Sequence, residues 1–165
     1  MSLPDLAAVL WRQRELLERL VYRLECEQVL LASGRTRWLA TATSEVEATV
    51  SELQVLELQR ALTSQQCAIE LGLDPACTLE HLAAGAQPPW SGVLFEHRQA
   101  LLQLTRELSV LAEANRHLMS AGLKAVESTL VSIGLRADMP TGGYDARGKA
   151  DDLLRAESAF VDRAL

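Results

Sequence analysis

The sequence predicts an all-α protein: an elongated antiparallel bundle of three long helices, with one short extra helix and a flexible C-terminal tail. Apolar residues make up 48% of the 165 residues but aromatics only 4%. A core must therefore be assembled from Leu, Val and Ala, as helical bundles are. Leucines recur at three- and four-residue spacings through most of the chain, which is the period of one helix face. Pro and Gly gather at a few breaks that divide the pattern into segments. A chain of this length fits one domain and can bury a real core. The bundle is assigned to residues 1–134 and the tail to 135–165.

The first helix, about 5–33, rests on Leu3, Leu10, Leu17, Leu24, Leu31 and Trp38, which fall every seven residues with Leu6, Leu20 and Val21 beside them. Arg12, Arg14, Glu15, Glu18, Arg19 and Glu25 occupy the other faces, leaving one apolar seam. Pro4 suits a first helical turn and Ser33-Gly34 a stop. The second helix, about 36–72, carries Leu39, Ala42, Val46, Val50, Leu53 and Leu56 on one stripe, then Leu58, Leu62 and Ile69 on a shifted one. Gly72 and Asp74-Pro75 end it. The short joint at Gly34 folds the two helices back as a hairpin.

A short helix over 78–84 takes Thr78 as its cap and Leu79, Leu82 and Ala83 as its buried side. The linker AGAQPPWSG follows, because Pro88-Pro89 cannot lie inside a helix, and Ser91 is the expected cap of the last long helix, about 91–134. There Leu94, Leu101, Leu104, Leu108, Leu111 and Leu118 set a three-four repeat, which Met119, Leu123, Val126, Leu130 and Ile133 continue one residue out of phase. Asn115 lies at the slip, where a lone Asn in a leucine seam fixes register. At about 60 Å this helix is expected to pack along a hairpin of similar length. Gly134 closes it. The following text, GLRADMPTGGYDARGKADD, has no apolar periodicity and reads as mobile, with a short amphipathic helix after Asp151.

Several functions are excluded at this level. The net charge is −6, the isoelectric point is near 5.1, and no run of Lys or Arg forms a basic face, which argues against nucleic acid. No apolar run approaches the ~18 residues of a membrane span, and Asp5 stands where a secretory signal would be positive, so a cytoplasmic location is expected. Cys26, Cys67 and Cys77 lack metal or redox spacing and read as three small hydrophobes in a reducing compartment. His81, His97 and His117 have no Glu three residues earlier, as a bundle metal site would need, and His97 reads as core or rim. Asp and Glu are assigned to solvated faces, and Trp11, Trp38 and Trp90 to packing. Gly143 followed by Gly148-Lys149 approaches a phosphate-cradling loop. Ala150 replaces the magnesium-binding hydroxyl, however, and no strand precedes it. No catalytic constellation, metal site or cofactor is expected, and the chain does not read as an enzyme.

What remains is apolar helix surface beyond the needs of one small bundle, plus a tail with hydrophobic anchors. That combination suits a protein that holds another helix. The order of LERLVYRLECEQVLLASGRTRWLATATSEVEATVSELQVLELQR, IELGL, LEHLA, LTRELSVLAEANRHLMSAGLKAVESTL and GYDARGK resembles the FlgN family of flagellar export chaperones over about residues 3–149. The resemblance implies a cytoplasmic chaperone that covers the amphipathic C-terminal helices of hook-associated proteins before type III export, with export gate components as further partners. It also implies client contact around Gly143, Tyr144 and Gly148. The segment after Lys149 is longer than the family pattern; its Leu153, Leu154, Phe160 and Val161 are candidate client contacts, with a self-covering flap and contact with the export machinery as the other readings. Glycines on both sides of Tyr144 would let the tail fold onto a client helix reversibly. The alternative is a structural coiled-coil homodimer that buries its seams against itself, or a helical protein-interaction scaffold without client release. The chaperone is expected as a monomer or weak dimer.

Overall fold

The computed structural model describes residues 2–132. Within them the chain is helical: α1 (Leu3–Ala32), a 3-10 turn (Thr36–Trp38), α2 (Leu39–Glu70), α3 (Leu79–Gly85) and α4 (Trp90–Ser132). The expected tail, with its amphipathic end, lies outside the described residues.

Local chemistry sets the boundaries. The Asp5 carboxylate accepts the Ser2 backbone N–H at 2.7 Å and the Ser2 hydroxyl at 2.8 Å, closing the first turn of α1 around Pro4. These two bonds, the backbone one foremost, hold the Asp5 carboxyl below its ordinary pKa. At the other end Gly34 takes φ +67°, and the Arg35 N–H reaches back to the Leu30 carbonyl at 3.1 Å. A side chain there would cost about 1–2 kcal/mol, so glycine fixes the hairpin joint. Thr78 caps α3 by accepting the His81 N–H, as the sequence suggests. The last long helix differs slightly. It begins at Trp90, directly after Pro88-Pro89, so Ser91 lies in its first turn and is not the cap.

α1 is the centre of the molecule. Both α2 and α4 pack along it, while no comparable contact joins α2 to α4. Pairings of Gln13 with Glu57, Arg23 with Thr49 and Glu27 with Thr43 show that α2 runs antiparallel to α1. Trp11 against His97 and Glu27 against Asn115 show that α4 runs parallel to it. Leu6, Leu10, Leu17, Leu20 and Leu24 of α1 are almost completely buried, with Val46, Val50 and Leu53 of α2 and Leu94 and Leu101 of α4. Each such side chain contributes about 1.5–3 kcal/mol. α3 plugs the end near the amino terminus with Leu79, Leu82 and Ala83. Gly85 makes room there, since a Cβ on it would lie 2.8 Å from a Leu73 methyl.

Four further expectations are corrected. The second stripe of α2 does not enter the core: Leu58, Leu62 and Ile69 are exposed, and Glu57, Arg60, Thr63 and Cys67 are buried in their place. The carboxylates are not all on solvated faces, because Glu27 and Glu57 are buried. Trp11 and Trp38 are more than half exposed, each with an arginine over its ring, and only Trp90 packs against the core. Finally, α4 outruns the hairpin it was expected to match.

Glu57 explains the first two. Its carboxylate is gripped by the Arg60 guanidinium, with Nε at 2.9 and 3.0 Å from its two oxygens, and accepts Gln13 Nε2 of α1 at 2.8 Å. This paired cluster turns the polar side of α2 inward, and the helical period then carries the neighbouring leucines outward. Breaking such a pair costs more than removing it whole. Arg60→Met is expected to lower unfolding free energy in urea by about 3–5 kcal/mol, and replacing Glu57 and Gln13 by Leu in the same chain to recover most of that.

His97 is buried on α4, edge-on to Trp11 at 5.9 Å between centroids. Burial first, then the charge of Arg14, pushes its pKa below the ordinary 6.5, with Glu96 opposing. The unfolded chain therefore takes up the proton more readily, so this stability is present above pH 6.5 and lost as pH falls through the lowered folded value. Denaturation midpoints followed across that window should drop on acidification, and His97→Leu should flatten the drop.

Candidate functional site

The candidate site grows from the place where α1 stops. Glu27, one turn before the end of α1, accepts Thr43 Oγ1 of α2 at 2.7 Å and Asn115 Nδ2 of α4 at 3.0 Å. The same Asn115 amide lies 2.9 Å from the Leu24 carbonyl. One carboxylate thus ties three helices, and Asn115, 1% exposed, performs the register role expected of it. Carried along the parallel pair, this offset sets Ala32, the end of α1, level with about Ser120 of α4. Beyond that level no other helix of the described residues lies beside α4, and ~26 Å of helix separate Asn115 from Ser132.

Burial follows this geometry. Asn115 is the last buried residue of α4 among the described side chains; Leu118 and Met119 are half-buried, and every residue over 120–129 is exposed. Met119, Leu123 and Val126 are spaced as one helix face, continuing the seam from Leu111 and Asn115. Leu123 is 45% and Val126 59% exposed. Gly122 lies beside them, a Cβ on it would meet nothing, and Ala121 and Ala125 are small. The surface is therefore an apolar strip with a shallow notch, where another helix can approach closely. Lys124 and Glu127 offer one charge of each sign nearby, and Glu113 pairs with both Arg116 and His117 just before the strip.

The tail residues singled out in the sequence, Gly143, Tyr144, Gly148, Leu153, Leu154, Phe160 and Val161, lie outside the described residues, as does the Gly148-Lys149 loop. The α4 strip itself was read as bundle seam. The available signal was length, since the last helix is longer than the first. Among the described residues no group of His, Cys, Asp and Glu is arranged to hold a metal ion, and no helix is long and apolar enough to cross a membrane. The three cysteines are free, with Cys67 buried, where desolvation raises its thiol pKa.

These features define a helical bundle whose longest member offers uncovered surface at one end. The family model described as FlgN protein matches residues 1–152, and the chain belongs to that family of flagellar chaperones. The match takes in Tyr144 to Lys149 and stops before Leu153, Leu154, Phe160 and Val161. Neither a curated protein nor a solved structure matches the chain.

Burial separates anchor from strip. Asn115→Leu leaves Glu27 short of a partner and is expected to lower stability by about 1–3 kcal/mol, whereas Leu123→Ser should change it by less than about 0.5 kcal/mol. Calorimetric melts of the two variants read the difference.

Proposed function

We propose that the chain binds the amphipathic C-terminal helices of hook-associated filament-junction proteins, keeps them from assembling early, and delivers them in the cytoplasm to the gate of type III export. The observation that carries the proposal is the uncovered apolar strip of α4, in a chain of a flagellar chaperone family. A client helix made to coil against neighbours in the filament presents a matching strip, and covering it keeps the client soluble.

Magnitudes assign a part to the tail. Burying Leu118, Met119, Leu123 and Val126 in full contributes at most about 1.5–3 kcal/mol each. Association itself costs about 4–15 kcal/mol in lost freedom. The strip alone therefore holds a helix weakly, and a second surface is needed. Tyr144, between Gly143 and Gly148, and the apolar Leu153, Leu154, Phe160 and Val161 are assigned that role, closing over the client from the other side. A grip assembled from two modest surfaces also releases readily.

Co-purification with the C-terminal helix of a hook-associated protein tests this. Asp at both Leu123 and Val126 is expected to weaken binding at least tenfold without lowering the melting temperature. Deleting 135–165 should weaken it by a comparable factor, and Tyr144→Ala by a smaller one. Absence of binding by the intact chain would overturn the proposal, and undiminished binding by the Leu123 and Val126 variant would remove α4 from it.

A further inference from the structure

The α4 strip continues a groove that α1 fills and then vacates. Leu101, Leu108 and Asn115 are buried on the face of α4 that packs along α1, and Met119, Leu123 and Val126 follow on the same face. A helix laid on the strip therefore lies in line with α1, and one of its ends meets the joint between α1 and α2. That joint is chemically distinct. Residues 33–38 are exposed throughout, and between Glu27 and Glu45 the only charged residues are Arg35 and Arg37. The Arg37 guanidinium lies 5.0 Å from the centroid of the exposed Trp38 ring, and neither arginine has an ion-pair partner among the described residues. Nor does α1 need them as a cap. Its carbonyls at Val29, Leu31 and Leu30 already accept the backbone N–H groups of Ser33, Gly34 and Arg35. In a chain of net charge −6, this end of the hairpin is positive.

The two ends of an arriving helix are not alike. Its first turn presents unpaired N–H groups and partial positive charge, its last turn unpaired carbonyls and partial negative charge. Two cations at the joint attract the last turn and repel the first. Where the helix is also the end of its polypeptide, the free α-carboxylate adds a full negative charge, which a planar guanidinium meets with two parallel hydrogen bonds. We infer that Arg35 and Arg37 receive the C-terminal carboxylate and last carbonyls of the client helix, which therefore runs antiparallel to α4. Its last turn lies over Trp38 and the turns before it on Leu123 and Val126. The inference rests on the reading of the client as the C-terminal helix of a hook-associated protein. An apolar strip accepts a helix in either direction, and the arginine pair selects one. Because exposed ion pairs contribute little, the pair decides direction and leaves most of the affinity to the apolar contacts. A second copy of this chain does not suit the site, since its strip would arrive with the same positive joint.

Calorimetric titration of the full chain tests this, using a synthetic peptide of a hook-associated protein's C-terminal helix made once with a free terminal carboxylate and once as the amide. Amidation is expected to weaken binding about three- to tenfold at low salt, and the difference to shrink at about 1 M salt. In a chain carrying Arg35→Gln and Arg37→Gln the two peptides should bind alike, and the melt without peptide should be unchanged. The comparison on the unaltered chain stands even if that variant folds poorly. Equal affinity of the two peptides for the unaltered chain, or an amidation penalty that survives in the glutamine variant, would overturn the inference. The client reading would survive either result as long as Asp at Leu123 and Val126 still weakens both peptides. A melt lowered by the glutamines, with peptide preference unchanged, would assign the arginines to the chain's own fold and also overturn the inference. Failure of both peptides to bind would overturn the client reading and the inference together.

Discussion

The shape of this protein depends on a carboxylate that has no business in a leucine core unless it is fully bonded. Glu27 is buried and accepts from Thr43 on one side and from Asn115 on the other, while the Asn115 amide also donates to the Leu24 carbonyl. Leucine seams on their own tolerate sliding by a turn, because one leucine replaces another at similar energy. A buried charge tolerates none, since any slip leaves it unpaired in a low-dielectric interior. That bond set fixes how far α4 is advanced relative to α1, and therefore how much of α4 extends past the other described helices beyond Ala32. The overhang is a consequence of register and needs no separate device to hold it in place.

A second buried charge has the opposite kind of effect. Glu57 with Arg60 and Gln13 draws polar groups inward on α2, and the helical period throws Val55, Leu58, Leu62 and Ile69 outward. With α2 and α4 both leaning on α1 and barely on each other, neither helix can cover the other's outer face. One bundle thus has two apolar surfaces of different character. The α4 strip is flanked by charges of both signs and small residues; the α2 face is neutral. A chaperone of the FlgN family binds flagellar proteins, and the two surfaces share no side chain.

Much of this was legible in the residues. Helix boundaries follow from Pro4, Gly34, Thr78 and Pro88-Pro89, which act locally and leave a local trace. The register role of Asn115 was visible because a polar residue interrupts a leucine repeat at the slip in phase. The family was visible in the order of segments. Burial of Glu27 and Glu57 was not, since a glutamate on a helix is ordinarily solvated and its partners, Thr43, Asn115 and Gln13, come from distant parts of the chain. Nor was the fate of Leu58, Leu62 and Ile69. Periodicity states that they share a face and is silent on whether anything lies against it. The same silence hid the α4 strip, whose exposure follows from where another helix ends.

Amide hydrogen exchange along α4, with and without the C-terminal helix of a hook-associated protein, tests the central claim most directly. Residues 118–129 should exchange readily in the free chain and become protected in the complex, while the turns around Glu27 and Asn115 stay protected in both. Protection already complete without client, or appearing on binding only along other helices, would contradict the claim that the uncovered end of α4 is where the client is held.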